Sequence, residues 1–163
     1  MEKIDLQELI DVNILQKIQD GFSAYTGMAA LITDADGVPV TKGSGFTKFC
    51  KELVRKSEAG GRRCEACDRD GAFKALRSGE ISVYQCHAGL TDYAAPIMVE
   101  DKVIGSFIGG QVRTSELDMV QMREKAWDMG IDPEVYVKTI QETNYLAWED
   151  VEKAAVFLAR ITE

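Results

Sequence analysis

The sequence predicts an α+β domain in which a five-stranded antiparallel sheet is flanked by helices. A chain of 163 residues, of which 45% are hydrophobic, has the size of one domain with a sizeable core. The predicted elements follow the order helix, hairpin, two helices, three strands and then helices, which favours one antiparallel sheet with the helices on one side. The chain contains no internal repeat, low-complexity tract or Pro/Ser-rich linker, so residues 1–163 are predicted to form a single domain.

The first helix and the hairpin after it are predicted from spacing and turn residues. Apolar residues fall at helical spacing at Leu15, Ile18, Phe22 and Tyr25. Gly27 is expected to end this helix. The stretch MAALITDADGVPVT, residues 28–41, predicts two strands joined by a turn at Asp36-Gly37.

Two helices are predicted around the cysteine-rich middle of the chain. One runs from about residue 47 to residue 57 and places Cys50 on its apolar side. The pair Gly60-Gly61 is expected to end it. The second is expected to begin near Cys64 and to end before Gly79.

The remaining strands are predicted from alternation and from turn residues. The stretch ISVYQC alternates like a strand, and residues 90–112 predict two strands joined by a turn at Glu100-Asp101. Pro96 indicates that the first of these two is an edge strand or contains a bulge. Three helices are expected after the sheet, with starts at Ser115, at Asp132-Pro133 and at Trp148.

Charge and hydropathy exclude two classes of function. The formal net charge of −8 argues against a nucleic-acid-binding protein. No apolar run approaches the roughly 18 residues of a membrane span. The N-terminal stretch MEKIDLQELID is acidic and lacks the features of a signal peptide. A cytoplasmic, reducing location is therefore expected, where clustered cysteines indicate metal or redox chemistry more than stable disulfides.

The cysteines coincide with the basic part of the chain. Residues 48–77 contain nine Lys or Arg and five Asp or Glu, a local net charge of +4 against −12 for the rest. Such cations would offset the negative charge of four thiolates around a divalent metal. A solvated, charged helix face explains the same run equally well, and the sequence leaves both interpretations open.

The four cysteines, Cys50, Cys64, Cys67 and Cys86, are the main chemical signal of the sequence. The two-residue spacing between Cys64 and Cys67 allows two sulfurs to bind one ion. Four thiolates suit tetrahedral zinc or an iron–sulfur cubane. The wider spacings match no short zinc-knuckle or ferredoxin signature, and a buried core thiol is the alternative, above all for Cys50.

The surroundings of the thiols narrow their chemistry. Cys64 and Cys67 are expected at a helix start beside Arg62-Arg63, where the helix dipole and the positive charges would lower the thiol pKa values. Nucleophilic catalysis is disfavoured because His87, the single histidine, directly follows Cys86, and neighbouring strand residues point to opposite faces. A thiol oxidoreductase is disfavoured because a helix precedes the CxxC pair.

The stretch YQCHAGLTDYAAPIMVEDKVIGSFIGGQV, residues 84–112, resembles the PocR sensory domain family of bacterial and archaeal regulators and sensor kinases. The opening helix and hairpin and the stretch FCKELVRKSEAGGRRCEACDRD resemble it too, so the likeness covers roughly residues 5–163. The matching positions are Cys50, Cys64, Cys67, Cys86, His87, Gly89, Pro96, Gly110 and Gln111. The resemblance implies a PAS-like fold, no catalysis, and a sensor of small hydrocarbon derivatives such as short diols and alcohols.

A ligand-sensing module is therefore the leading hypothesis. We expect a cavity between the sheet and its helices, in which His87 or Gln111 supplies oriented hydrogen bonds to the ligand. The aromatic residues considered for its lining are Tyr84, Tyr93, Phe107 and Trp148. The four cysteines are expected to bind one metal. Zinc is favoured because it needs no assembly machinery, and a [4Fe-4S] cluster is the alternative.

The terminal helix, residues 148–163, is expected to form a homodimer and to transmit the signal. An a/d heptad pattern is formed by Val151, Ala154, Leu158 and Ile161, although an ordinary core helix also explains two heptads. The resemblance implies an output domain, DNA-binding or histidine kinase, in a longer protein or in trans. The competing hypothesis is a redox or gas sensor, in which an iron–sulfur cluster or a thiol switch is itself the signal.

Overall fold

A computed structural model describes residues 5–161, which form an antiparallel sheet covered by helices on both faces. The helices are α1 (Leu6–Leu9), α2 (Val12–Thr26), α3 (Glu58–Ser78), α4 (Met119–Asp128), α5 (Pro133–Gln141) and α6 (Trp148–Ile161), with a π-helix at Phe49–Val54. The strands are β1 (Ala29–Asp34), β2 (Ser82–Gln85), β3 (Thr91–Val99) and β4 (Lys102–Val112). Their order in the sheet is β1-β4-β3-β2.

The sheet has four strands, so the prediction of five is wrong. The predicted partner of β1 makes only two isolated bridges, Thr33 to Pro39 and Ala30 to Ser44. Pro39 has no backbone N–H to donate to a ladder. Two residues further on, the Thr41 hydroxyl, not a main-chain carbonyl, accepts the hydrogen bond from the Ile32 N–H at 3.0 Å. The segment therefore follows β1 without forming a continuous strand.

The helices cover both faces of the sheet, which corrects the prediction that they lie on one side. Successive strand residues point to opposite faces. Ile32 packs in a core with Phe22 of α2 and Leu158 of α6. Its neighbour Leu31 packs on the opposite face in a core that includes Ala72 of α3. The sheet thus separates α3 from the pair α2 and α6.

The start of α3 was predicted six residues too late, because Gly60-Gly61 was interpreted as a helix end. The Ser57 hydroxyl caps α3 by accepting from the Gly60 N–H at 3.0 Å, so the glycines lie in the first turn. A Cβ atom on Gly60 would lie 2.3 Å from the Val54 carbonyl oxygen, so glycine allows the π-helix to pack closely against α3. Cys64 consequently lies inside α3, not at its start.

Several other boundaries agree with the sequence. The helix α2 ends at Gly27 and α3 ends at Gly79. Asp132 caps α5, with Pro133 in the first turn, whereas Asp118 and not Ser115 caps α4. No helix between residues 5 and 161 combines the length and the apolar character needed to cross a membrane.

The strand β3 has a different neighbour along each part of its length. It pairs with β4 throughout, but β2 pairs only with residues 91–94. The pairing with β2 therefore ends before Pro96, and a register shift follows between Ile97 and Met98. Both features fit the local expectation that proline marks a strand edge or a bulge.

Candidate functional site

A small recessed cavity of about 30 Å³ lies between the sheet, the π-helix and α3. All four cysteines line it, although 35 residues separate the first from the last. Three of the residues predicted as ligand-binding also line it, namely Tyr84, His87 and Gln111. Its apolar lining includes Leu31, Phe46, Val54 and Ile108.

The π-helix places Cys50 in the wall of the cavity. The Thr47 hydroxyl accepts from the Cys50 N–H at 3.2 Å, and the Gln111 side-chain oxygen accepts from the Thr47 N–H at 2.9 Å. At its other end, Arg55 forms a salt bridge of 2.8 Å with Asp68 of α3. These contacts fix the segment to β4 on one side and to α3 on the other.

The turn after β2, residues 86–90, presents Cys86 and His87 to the cavity. The Lys125 ammonium group of α4 donates to the His87 carbonyl oxygen at 3.0 Å. The Tyr136 hydroxyl of α5 donates to the Ala88 carbonyl oxygen at 2.7 Å. The helices α4 and α5 therefore hold this turn by its main-chain carbonyls, and the side chains of Cys86 and His87 remain directed to the cavity.

A β-bulge places Asp92 at the same site. Thr91 pairs with Val112 and Tyr93 with Gly109, so Gly110 and Gln111 both lie opposite Asp92. The Gln111 N–H donates to Asp92 Oδ1 at 2.9 Å.

Gly110 is needed for this bulge. It has φ of 121°, and a Cβ atom there would lie 2.5 Å from the Thr91 carbonyl oxygen. Because only glycine tolerates both the conformation and the approach, the glycine pair in GSFIGGQ shapes the wall of the cavity.

The thiols of the cavity are held in their protonated form. Burial raises the pKa of Cys50 to about 12 and that of Cys64 to about 11. Burial likewise raises the pKa of Cys67, and it raises the pKa of Cys86 well above the usual value. The predicted lowering by a helix start is therefore wrong, since Cys64 is inside α3 and desolvation outweighs the nearby charges.

His87 contacts one of these thiols. Its Nε2 atom lies 3.1 Å from Cys64 Sγ, and its Nδ1 atom is buried without a hydrogen-bond partner. Burial, with the nearby charges of Arg63, Lys125 and Arg55, lowers the pKa of His87 to about 4, so the ring is neutral at pH 7. A neutral ring has one donor and one acceptor nitrogen, and one of the two remains available.

The geometry does not provide a ready coordination shell for a metal. Within residues 5–161, no three or more His, Cys, Asp or Glu side chains are arranged to hold a metal ion. The cysteines share a cavity, but binding one ion requires them to move closer and to lose their protons. The four-cysteine metal site remains a prediction.

Comparison with known proteins identifies the family. A family model described as the sensory domain found in PocR matches residues 8–163. The chain belongs to the PocR sensory domain family. It is also 30% identical over 139 residues to the Regulatory protein PocR of Salmonella typhimurium strain LT2, a match that covers 83% of this chain and 46% of the relative. The chain thus spans less than half the length of that regulatory protein, and the resemblance found in the sequence is confirmed.

In this PocR sensory domain, three of the aromatic residues considered for the ligand lie away from the cavity. Tyr93 and Phe107 point to the opposite face of the sheet, where Phe22 packs edge-to-face against both, with ring centroids 6.1 and 5.5 Å away. Trp148 is 41% exposed at the start of α6. Residue type alone does not distinguish Tyr84 from Tyr93, but the two side chains lie on opposite faces of the sheet.

Sequence reasoning missed three charged residues that line the cavity, Arg55, Asp68 and Asp92. The signal for Asp92 was present, because LTDYAAPIMV contains one carboxylate in an otherwise apolar strand. A charged residue inside such a strand requires a partner or a function. Arg55 and Asp68 had no comparable signal, since they belong to a segment rich in charges.

Proposed function

We propose that this PocR sensory domain is a non-catalytic sensor that binds a short alcohol or diol in the cysteine-lined cavity. The observation that supports this most directly is the mixture of hydrogen-bonding and apolar groups around one small space. His87, Gln111 and Asp92 lie in its wall together with Leu31 and Ile108. Binding sites for small molecules combine an apolar lining with a few placed polar groups in this way.

The size of the cavity supports a very small ligand. Its volume of about 30 Å³ is roughly two to three times what one buried water requires. An occupant of a few non-hydrogen atoms fits this space, whereas a nucleotide or a sugar phosphate does not. Short alcohols and diols have both the size and the mixed polarity of the lining.

The proposed signal route leads through the sheet to α6. Asp92 lines the cavity, while the next residue, Tyr93, lies in the core that α2 and α6 cover. A ligand moves such an equilibrium only if it binds two packing states with different affinity. We propose that the ligand-bound cavity shifts β3, and that the shift changes the packing of α6.

The output is proposed to involve a second copy of the chain and a further domain. A groove of about 810 Å³ lies between α2 and α6. Tyr25 and Phe157 line it and are 93% and 58% exposed. Asp150 and Lys153 lie on the same groove and form an ion pair of 3.9 Å within α6, so the rim of the groove is charged. An apolar centre with a charged rim suits the self-complementary interface of two copies related by a two-fold axis. Because the PocR regulatory protein is about twice as long as the matched region, we propose that a DNA-binding or histidine-kinase domain receives the signal, in a longer protein or in trans.

Calorimetric titration and thermal shift with C2 to C4 alcohols and diols test the proposed ligand class. We expect heat and a raised melting temperature for at least one compound. An Ala88→Val variant narrows the cavity and should weaken binding, whereas Ala66→Val on the exposed side of α3 should not. Absence of heat and of any thermal shift across the panel contradicts the proposal.

A second proposal concerns the thiols. We propose that the four cysteines bind one metal, zinc or a [4Fe-4S] cluster, or act as a redox switch. The support is that residues so distant in sequence line one cavity. Metal analysis and the visible spectrum of anaerobically purified protein separate these possibilities. One zinc without colour supports a structural site, and roughly four irons with brown absorbance support a cluster. Four titratable thiols without metal, unchanged by oxidant, contradict all three.

A further inference from the structure

Three polar groups of the cavity have hydrogen-bonding capacity that the protein itself does not fill. Asp92 Oδ1 accepts from the Gln111 N–H, but a carboxylate offers roughly four acceptor sites. The Arg55 Nε atom and the His87 Nδ1 atom are buried without a hydrogen-bond partner. All three residues line the cavity. A buried polar group without a partner is costly, so these groups indicate what a ligand must supply.

The charges around the cavity disfavour an anionic ligand. Asp92 and Asp68 both line it, and a single guanidinium, that of Arg55, faces them. The salt bridge of 2.8 Å already pairs Arg55 with Asp68. A ligand carboxylate would therefore place a second negative charge beside Asp92, and like charges in a poorly solvated site repel strongly.

The hydrogen-bonding pattern also disfavours a simple ammonium ligand. An ammonium group donates three hydrogen bonds and accepts none, so it satisfies Asp92 but leaves the Arg55 Nε–H unmatched. A hydroxyl donates one bond and accepts two. It can donate to Asp92 and accept from Arg55, and its second lone pair can accept from His87 in the tautomer that carries the proton on Nδ1. In the other tautomer, the second hydroxyl of a diol can donate to His87 Nδ1.

We infer that Asp92 is the specificity-determining residue of this cavity and that, with Arg55 and His87, it selects a hydroxyl-bearing ligand over the carboxylate or ammonium compound of equal length. This inference rests on the proposed function, because it assumes that a small molecule occupies the cavity. It adds to that function the residue that determines specificity, Asp92, and the two classes of compound that bind less well, carboxylates and ammonium compounds.

A matched series tests the inference: propan-1-ol, propanoate and propan-1-ammonium, together with the C2 and C4 members of each class. Binding is measured at pH 7.5 by calorimetry and by amide chemical shifts of Gly110 and Gln111. We expect the wild type to bind the alcohol at least about tenfold more tightly than the acid or the ammonium compound. Equal or tighter binding of the acid overturns the inference while leaving a small-molecule sensor intact.

The variant Asp92→Asn identifies the residue responsible. It should lose about tenfold or more in affinity for the alcohol, and its discrimination against the acid should shrink because the negative charge is gone. The exposed Asp128→Asn serves as the matched control and should bind as the wild type does. Unchanged alcohol affinity in a folded Asp92→Asn protein overturns the inference.

Two further outcomes are decisive. If Asp92→Asn does not fold, the comparison of the three compound classes on the wild type still decides the matter. If the wild type binds no compound of these three classes and no C2 to C4 diol, the proposed function fails and this inference fails with it. Binding of alcohols without discrimination defeats the inference alone.

Discussion

The substitution Asp92→Asn should change how the stability of the domain depends on pH. Burial raises the pKa of Asp92 from 3.8 to about 7, with a smaller contribution from the charge of Asp68. The hydrogen bond from the Gln111 N–H and the charge of Arg55 oppose this rise. In the unfolded chain the carboxyl titrates near its ordinary value.

The sign of the effect follows from linkage. A carboxyl whose pKa is raised on folding keeps its proton in the folded state while the unfolded state releases it. Its contribution to stability is therefore complete below about pH 4 and is lost as the pH rises towards 7. A shift of about three pKa units corresponds to at most about 4 kcal/mol. Allowing for the part of Asp92 that faces the open cavity, we expect a loss of about 2–4 kcal/mol.

Urea denaturation of both proteins, at pH values between 4 and 8 with a chelator and a reductant present, measures this effect. The quantity to compare is the difference in unfolding free energy between Asp92→Asn and the wild type. His87, whose folded pKa lies near 4, titrates in both proteins, so its contribution cancels in that difference. The variant should gain about 2–4 kcal/mol relative to the wild type from pH 4 to pH 8. A difference that stays constant over this range refutes the assignment of a raised pKa to Asp92.

Three further changes have expected outcomes. Gly110→Ala should lower the unfolding free energy by at least about 2 kcal/mol, because φ is 121° and the added Cβ meets the main chain of β3. The control Gly130→Ala, where nothing lies within 4 Å of the added Cβ, should lower it by only about 1 kcal/mol. Equal losses for the two variants in chemical denaturation would contradict this account of the bulge. Tyr136→Phe removes the donor to the Ala88 carbonyl and should lower the unfolding free energy by about 1–3 kcal/mol in the same assay. An unchanged stability would show that this hydrogen bond does not hold the turn in place. Phe157→Asp should shift a homodimer to monomer in light scattering at micromolar concentration, and an unaffected dimer would place the interface elsewhere.

The parts of the fold that local signals specify were predictable. Asp132 followed by proline marks a helix start through side-chain capping and a fixed φ, and both operate within a few residues. Gly60 was misinterpreted because its role is tertiary, the close approach of α3 to the Val54 carbonyl. The prediction of a fifth strand was wrong because it relied on the alternation of residues 38–41. Pro39 has no N–H to donate to a strand ladder, and this counts against a strand there.

The candidate site was predictable only in part, for the same reason. The cysteines and His87 were identified by residue type, and all of them line the cavity. Their protonation was predicted in the wrong direction, because it depends on burial that only the packed fold creates. Asp92 depends on a bulge opposite it, and the pairing of β3 with β4 that forms the bulge is a long-range property.

The pKa shifts of three groups in the cavity all favour the neutral form at pH 7. Burial raises the pKa values of Cys50 and Cys64 and lowers that of His87, so each of these groups is held neutral at pH 7. Asp92, with a pKa of about 7, changes charge near that pH. Because the thiols and the His87 ring are neutral, selection between ligands in this cavity depends on their hydrogen-bonding pattern and on the charge of Asp92. The residue after Asp92, Tyr93, packs in the core beneath α2 and α6. Asp92 is therefore one peptide bond from the core against which the terminal helix packs.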